Sequence, residues 1–242
     1  MYYYIFESPK NFAENKIHER IKNILTVLGI SGETTIVTPA RNASELAVMG
    51  LEKGYSTIVA VGKDELVNEV ASNIYGSGAV LGIIPINASE EINNLVGSND
   101  IKKNCEALQK RFLDNVNIGY LEPGINFLTK LSINSAKPLS IQAEINDFYF
   151  ETKANEIIID SNLNVYLNSE PQKKGFFASL FSSSDPSKYN INNSFFRANR
   201  LRLRTHEILP VKIGELAVAK TPIVAYRRPE PLKIIKYFAK IK

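Results

Sequence analysis

The chain has 242 residues, 44% of them hydrophobic and 22% charged, with a formal net charge of +4, two histidines and a single cysteine. Such a length accommodates one large domain or two small ones, each with a sizeable core. A lone Cys105 excludes a disulfide scaffold, His18 and His206 lack neighbours that would complete a zinc site, and no apolar run nears the roughly 20 residues of a membrane-spanning helix. The first residues show no basic, signal-like segment, so a cytoplasmic location is expected. Charge is uneven: residues 1–112 carry −2, residues 113–170 carry −5 and residues 171–242 carry +11. The last third is where an anionic partner is expected.

In chain order, residues 2–6 form an apolar run of strand length, and residues 11–28 place Phe12, Ile17, Ile21, Ile24, Leu25 and Leu28 near helical spacing. Residues 34–37 read as a second strand and 42–53 as a helix closed by Gly54. A third strand at 57–61 leads into a helix over 64–74 that Asp64 is placed to cap, and a fourth strand follows at 79–84. A helix is expected to start near Ala88 or Ser89, and another over 100–111, with Cys105 as a packing residue rather than a nucleophile. Continuous apolar strands between helices predict a parallel sheet covered on both faces.

From about Phe112 the pattern changes to short runs at 118–120, 126–133, 139–145, 148–152, 156–160 and 164–168, separated by Asn, Asp, Pro and Ser. This predicts an antiparallel meander, with hairpin turns at Asn146-Asp147 and Asp160-Ser161-Asn162. Arg200, Arg202 and Arg204 alternate with leucines and so share one strand face, read as a solvated face or an anionic-surface contact. The predicted fold is an α/β N-terminal domain, a parallel sheet between helices, built from 1–113 and 226–242, with a mainly antiparallel β second domain over 114–225.

Two stretches carry a resemblance. Residues 57–62 enter Lys63-Asp64-Glu65-Leu66-Val67-Asn68-Glu69, and Leu81-Gly82-Ile83-Ile84-Pro85 enters Ile86-Asn87-Ala88-Ser89-Glu90-Glu91. Near the C-terminus stand Leu209-Pro210-Val211-Lys212-Ile213-Gly214-Glu215, then Thr221-Pro222-Ile223-Val224 and Pro231-Leu232-Lys233-Ile234-Ile235; Asn117-Ile118-Gly119 marks a junction. In spacing these segments resemble the diacylglycerol kinase catalytic family of bacterial lipid kinases, relatives of sphingosine kinase and NAD kinase. The family has Gly-Gly-Asp-Gly-Thr followed by Asn-Glu, then Gly-Ile-Ile-Pro-x-Gly-Thr-x-Asn-Asp, and later Asp-Gly-Glu and Thr-Pro-Val. The resemblance implies the fold just described, a final strand returning to the first domain, and ATP with Mg²⁺ as cofactors. It implies a nucleotide-binding set at Thr38, Gly62, Lys63, Asp64, Glu65, Asn68 and Ala88, with Glu215 as general base for a lipid hydroxyl.

The loop residues depart from that pattern. A phosphate cradle needs converging backbone N–H groups, and glycine lets the backbone approach closely or take positive φ. Lys63, Glu65 and Asn87 stand at family glycines, Leu66 and Ala88 at family threonines, Glu90-Glu91 at the Asn-Asp pair and Ile213 at the Asp that precedes Gly-Glu. Glu65 adds negative charge where a triphosphate would lie. No metal site is expected from these residues alone.

Lys173-Lys174-Gly175-Phe176-Phe177-Ala178-Ser179-Leu180-Phe181 sets four large apolar residues beside two lysines. Membrane-interface insertion suits it, with Lys173 and Lys174 at the headgroups and Phe176, Phe177, Leu180 and Phe181 inserted; packing on the chain's own sheet or in a homodimer is the alternative. No aromatic–basic nucleic-acid module is found, so nucleic acid is not expected as a partner. Three functions stay open: a lipid-kinase-like protein with a degenerate ATP site, weakly active or inactive, that binds lipid or an anionic, peripheral membrane surface; an active ATP- and Mg²⁺-dependent lipid kinase; and a non-enzymatic assembly protein reusing the fold.

Overall fold

A computed structural model describes residues 1–146, 148–169 and 192–238 of the chain. The first sheet begins with β1 (Tyr2–Phe6), followed by α1 (Phe12–Val27), β2 (Glu33–Ile36), α2 (Ala43–Glu52), β3 (Thr57–Gly62), α3 (Asp64–Ile74) and β4 (Val80–Pro85). Two helices, α4 (Glu90–Val96) and α5 (Ile101–Lys110), lead to β5 (Leu113–Val116). The sixth strand of this sheet is β16 (Leu232–Ile235), from the far end of the chain. Sheet order is β2-β1-β3-β4-β16-β5, with β16 parallel to β4 and antiparallel to β5. The expected return of the final strand to the first sheet is therefore observed.

Every residue of β3 and β4 is buried, as unbroken apolar runs require of strands covered on both faces. Side chains alternate between two layers. Tyr3, Ile5, Ile58, Ala60, Leu81 and Ile83 pack towards α2 and α3. Tyr4, Phe6, Val59, Val61, Val80 and Ile84 pack towards α1 and α5, where Cys105 lies fully buried and burial pushes its thiol up to about 12. That thiol is inert packing, as expected from its place on a helix. His18 is likewise a core residue, its ring edge-on to Phe6, and burial first and Lys22 second hold it below the usual histidine range.

The second sheet is antiparallel: β6 (Gly119–Leu121), β7 (Ile125–Phe127), β8 (Leu131–Ile145), β9 (Phe148–Ile159), β10 (Asn164–Ser169), β11 (Asn192–Arg197), β12 (Arg200–Thr205), β13 (Pro210–Ile213), β14 (Leu216–Lys220) and β15 (Ile223–Arg227). The turns at Asn146 and at Asp160–Leu163 fall where the sequence predicts them. Two expectations change. The run at 126–133 is divided, its start lying in β7 and its end joining 139–145 in one 15-residue strand, β8, and the runs at 148–152 and 156–160 fuse into the 12-residue β9. Between Asn134 and Leu139 the register shifts, where Pro138 has no N–H to give to a ladder. On β12, Arg200, Arg202 and Arg204 are exposed while Leu201 and Leu203 are buried, and Arg202 pairs with Glu144 at 3.0 Å on the neighbouring strand.

The two sheets meet along α3. Its outer face touches β7 and β13, and Arg228 closes the far side of the junction. There the guanidinium lies 3.9 Å from the Tyr120 ring centroid and Nε donates to Asn126 Oδ1 at 2.8 Å, while the Arg228 backbone N–H donates to Ile118.

Candidate functional site

Gly62, Lys63, Asp64, Glu65 and Ala88 collect at the carboxyl edge of β1, β3 and β4, where ligands of open parallel sheets bind, and Glu215 lies at the facing β13–β14 turn. The turn after β3 is set by Gly62. A Cβ there would lie 2.8 Å from both Glu7 Oε2 and Leu66 Cδ2, so only glycine lets Glu7 approach. Glu7 follows β1 directly, and its carboxylate accepts from the Lys63 backbone N–H at 3.0 Å. An internal carboxylate thus holds the first amide of the loop. Lys63 has φ −88 and ψ −179, an extended conformation that needs no glycine.

Asp64 does not cap its own helix, contrary to the sequence reading. Lys63 is the N-cap of α3 and makes no side-chain cap bond; Asp64 is already the first helical residue. Its carboxylate points instead to the start of α4, accepting from Ser89 N at 2.7 Å and Ser89 Oγ at 2.5 Å. Both oxygens serve the neighbouring loop because Ser89 caps α4 and stands next to the α3 end in space, 25 positions away in sequence. Asn87 has φ 51, a left-handed conformation, and Ala88 packs against the core facing α2 and α3. Glu91 is half-buried with Oε2 unpaired; burial raises its carboxyl above the usual range and Asp64 adds to the rise, while the Lys130 amide and charge oppose it.

Glu65 crosses to the second sheet. Its Oε1 accepts from the Glu215 backbone N–H at 3.0 Å, and it sits against Gly214, which has φ 56. A Cβ at Gly214 would collide with Glu65 Oε1, so this glycine serves the contact as well as the turn. The carboxylate of Glu215 is 97% exposed and lies 3.9 Å from Lys212 Nζ. Its backbone amide, not its carboxylate, faces Glu65. Ile213, at the position of the family's Asp, is buried in the core of the second sheet.

Asn68 is buried and fully engaged. Its Nδ2 donates to the Asp64 carbonyl and to Thr129 Oγ1, both at 2.7 Å, and its Oδ1 accepts from Leu128 N at 2.7 Å and Thr129 N at 3.1 Å. Two donors and two acceptors exhaust the amide's capacity. Asn68 therefore joins α3 to the chain between β7 and β8. Glu69 accepts from Ser44 N at 3.0 Å and Ser44 Oγ at 2.9 Å. Thr38 stands apart in an exposed turn, bridged to Arg41. The lysines and apolar residues of 173–181 lie outside the described residues. Among those described, no three His, Cys, Asp or Glu side chains are grouped to hold a metal, and no helix is long and apolar enough to cross a membrane.

Sequence reasoning misses three residues of this network. Glu7 carries no motif; its only signal is its place immediately after a parallel strand. Ser89 is legible as a helix cap but not as a partner of Asp64. Arg228 has no local pattern, since Tyr75, Tyr120 and Asn126 come to it from three separate segments.

Two solved structures from Bacillus anthracis str. Sterne share the whole architecture. One, described as "a putative diacylglycerol kinase", superposes with a TM-score of 0.75 at 13% identity, over 97% of this chain and 97% of its own. The other, described as a diacylglycerol kinase, gives a TM-score of 0.73 at 14% identity, over 99% of this chain and 98% of its own. Identities of this size speak to fold, not to activity. No curated protein matches by sequence. The family model for the diacylglycerol kinase catalytic domain matches residues 7–121, a span that opens on Glu7 and contains the loops after β3 and β4. The match to the diacylglycerol kinase catalytic domain thus runs from the end of β1 through β2 to β5 and their loops to the end of β6, just under half of the chain.

Proposed function

We propose that this protein is a lipid-kinase-fold protein whose ATP site is degenerate, with weak or no phosphoryl transfer, and that it acts by binding lipid or an anionic membrane surface. The family uses ATP with Mg²⁺. One observation carries the reading: at the Gly62–Glu65 turn and its surroundings, internal carboxylates already take the backbone donors. Glu7 holds Lys63 N, Asp64 holds Ser89 N and Glu65 holds Glu215 N.

Phosphoryl transfer depends on positioning and on electrostatic stabilisation of negative charge. A triphosphate entering here would meet three carboxylates in place of free amides. The residues present do not fit ATP·Mg²⁺. Glu215, expected as the base, supports the same reading, because its exposed carboxylate lacks the aspartate partner of the family pattern. In this reading residues 1–113 and 226–242 form the nucleotide-binding-like domain and 114–225 the lipid-facing one. The membrane contact enters on the sequence of residues 173–181 and on the charge of the last third.

Thermal melting with and without ATP·Mg²⁺ tests the first part. No shift in Tm is expected, and a clear rise would overturn the degenerate site, since ligand at about 100 Kd stabilises by about 2.7 kcal/mol. Transfer of phosphate to diacylglycerol that Glu215→Ala abolishes would do the same. Sedimentation with phosphatidylserine-containing vesicles tests the second part. Pelleting that Phe177→Asp abolishes is expected; no pelleting removes the membrane role.

A further inference from the structure

A groove of about 670 Å³ follows the outer face of α1, bounded by Lys102 of α5. The inner face of α1 is spent on the core through His18, Ile21 and Leu25. The outer face carries a stripe of Phe12, Lys16, Glu19, Arg20, Asn23 and Val27, all exposed and all lining the groove. Steps of three and four residues on either side of the 19–20 pair keep them on one side of the helix. Phe12 is 72% exposed and Val27 86%, and among the described large apolar side chains none is more exposed than Val27. The stripe is its own complement about the midpoint between Glu19 and Arg20. Position 12 mirrors 27, 16 mirrors 23 and 19 mirrors 20, so apolar mirrors apolar, cation mirrors neutral amide and acid mirrors base. Lys22 Nζ takes Glu19 Oε1 at 2.9 Å, which leaves the second Glu19 oxygen for another partner. Arg20 forms no ion pair among the described residues.

We propose that the outer face of α1 docks on α1 of a second copy of this chain, the two helices antiparallel across a two-fold axis at the 19–20 midpoint. Phe12 of each copy then meets Val27 of the other, Lys16 meets Asn23 and Glu19 meets Arg20, every contact occurring twice. Such self-complementarity is what an isologous contact requires. The apolar ends lose water, and the central carboxylates gain charge-assisted hydrogen bonds from guanidinium groups. With 16 residues α1 is about 24 Å long, so the contact is small and the dimer belongs to the weak, reversible class. Because α1 starts at the carboxyl edge of β1, an antiparallel pair puts the two candidate sites at opposite ends and leaves both open. Association therefore needs neither ATP nor lipid.

Sedimentation equilibrium of the full chain, over a concentration series from micromolar to millimolar, tests the pairing. A monomer–dimer equilibrium is expected. Glu19→Arg sets arginine against arginine at both central contacts, and Arg20→Glu sets glutamate against glutamate; each should weaken association about tenfold or more. An equimolar mixture of the two variants restores both Glu–Arg pairs and should associate as the unmodified chain does. Phe12→Asp removes both apolar end contacts and should weaken association as well. These side chains are exposed, and the Lys22–Glu19 pair lost in Glu19→Arg is a surface pair of small weight, so an unchanged Tm is expected throughout. A monomer at every concentration, a dimer indifferent to both charge reversals, or a mixture of the two variants that stays monomeric overturns the inference. A monomer that pellets with phosphatidylserine-containing vesicles, and no longer does so in Arg20→Glu, assigns this face to a membrane and overturns it too.

Discussion

The turns after β3 and β4 lie side by side, joined by a hydrogen bond from Ile86 N to Gly62 O, and both carry other residues where the family has glycine. They have lost those glycines in different ways. At Lys63 the backbone is extended, with φ −88, and any residue adopts it. At Asn87 the backbone is left-handed, with φ 51, and asparagine is among the few non-glycine residues that tolerate it. One turn has no further use for glycine; the other still has the shape that glycine would favour. Neither is closed by a Cβ. Both are closed by side-chain carboxylates that take their amides, Glu7 at the first turn and Asp64 at the second. In the proposed reading, fold and activity part company in the wiring of a few backbone N–H groups, not in the path of the chain.

The largest expected effect falls on the Asn68 amide, which joins the helix after the first turn to the second sheet. Asn68→Leu leaves Leu128 N and Thr129 N buried without an acceptor, and the loss of stability in urea unfolding is expected to be about 2–4 kcal/mol. A near-neutral result would show that the link from α3 to the second sheet is dispensable. Next comes Asp64→Ala, which strips two bonds from the start of α4 and is expected to destabilise by about 1–2 kcal/mol, as for a lost helix cap. Asp64→Asn, which keeps an acceptor, should lose less.

Exchange of residues in the two turns sharpens the contrast directly. Asn87→Val should cost about 1–2 kcal/mol and Asn87→Gly almost nothing. Lys63→Gly should instead lose about 0.5–1 kcal/mol through backbone entropy, because its conformation gains nothing from glycine. The same response in both turns would break the distinction drawn from their φ angles.

The strands and the network were not equally legible in sequence. Buried runs such as 57–62 and 80–85 announce themselves, because a parallel strand covered on both faces admits little else. The alternation at Arg200, Arg202 and Arg204 reads directly as one exposed strand face. Residues 131–145 do not read as one strand, because Pro138 signals a break and only long-range pairing with β9 carries the ladder past it. Asp64 reads as a cap because that is what a local rule offers, yet its partner is 25 residues away. Glu7 and Lys63 are 56 apart, and nothing local in either announces the contact. Polar side chains near a site bond by geometry that only the folded chain supplies.

The smallest expected effect is pH-dependent and lies at Glu91, in the first turn of α4 beside the Asp64–Ser89 contact. Its carboxyl faces the Lys130 amide and side chain, with Asp64 and Asp160 as the nearby negative charges, and burial is the main reason its pKa is raised. A raised carboxyl favours the protonated form in the folded state. That contribution to stability is fully present below the unfolded carboxylate pKa and is lost as pH rises through the folded value. Above its folded value the Glu91 carboxylate is ionised against its surroundings, with one oxygen unpaired. Glu91→Gln should therefore raise the urea midpoint at pH 7 and leave it nearly unchanged at a pH below the carboxylate range, where the wild-type side chain is neutral too. A variant that stabilises equally at both values would place the gain in packing or helix propensity, and would separate Glu91 from the electrostatics of the turn after β4.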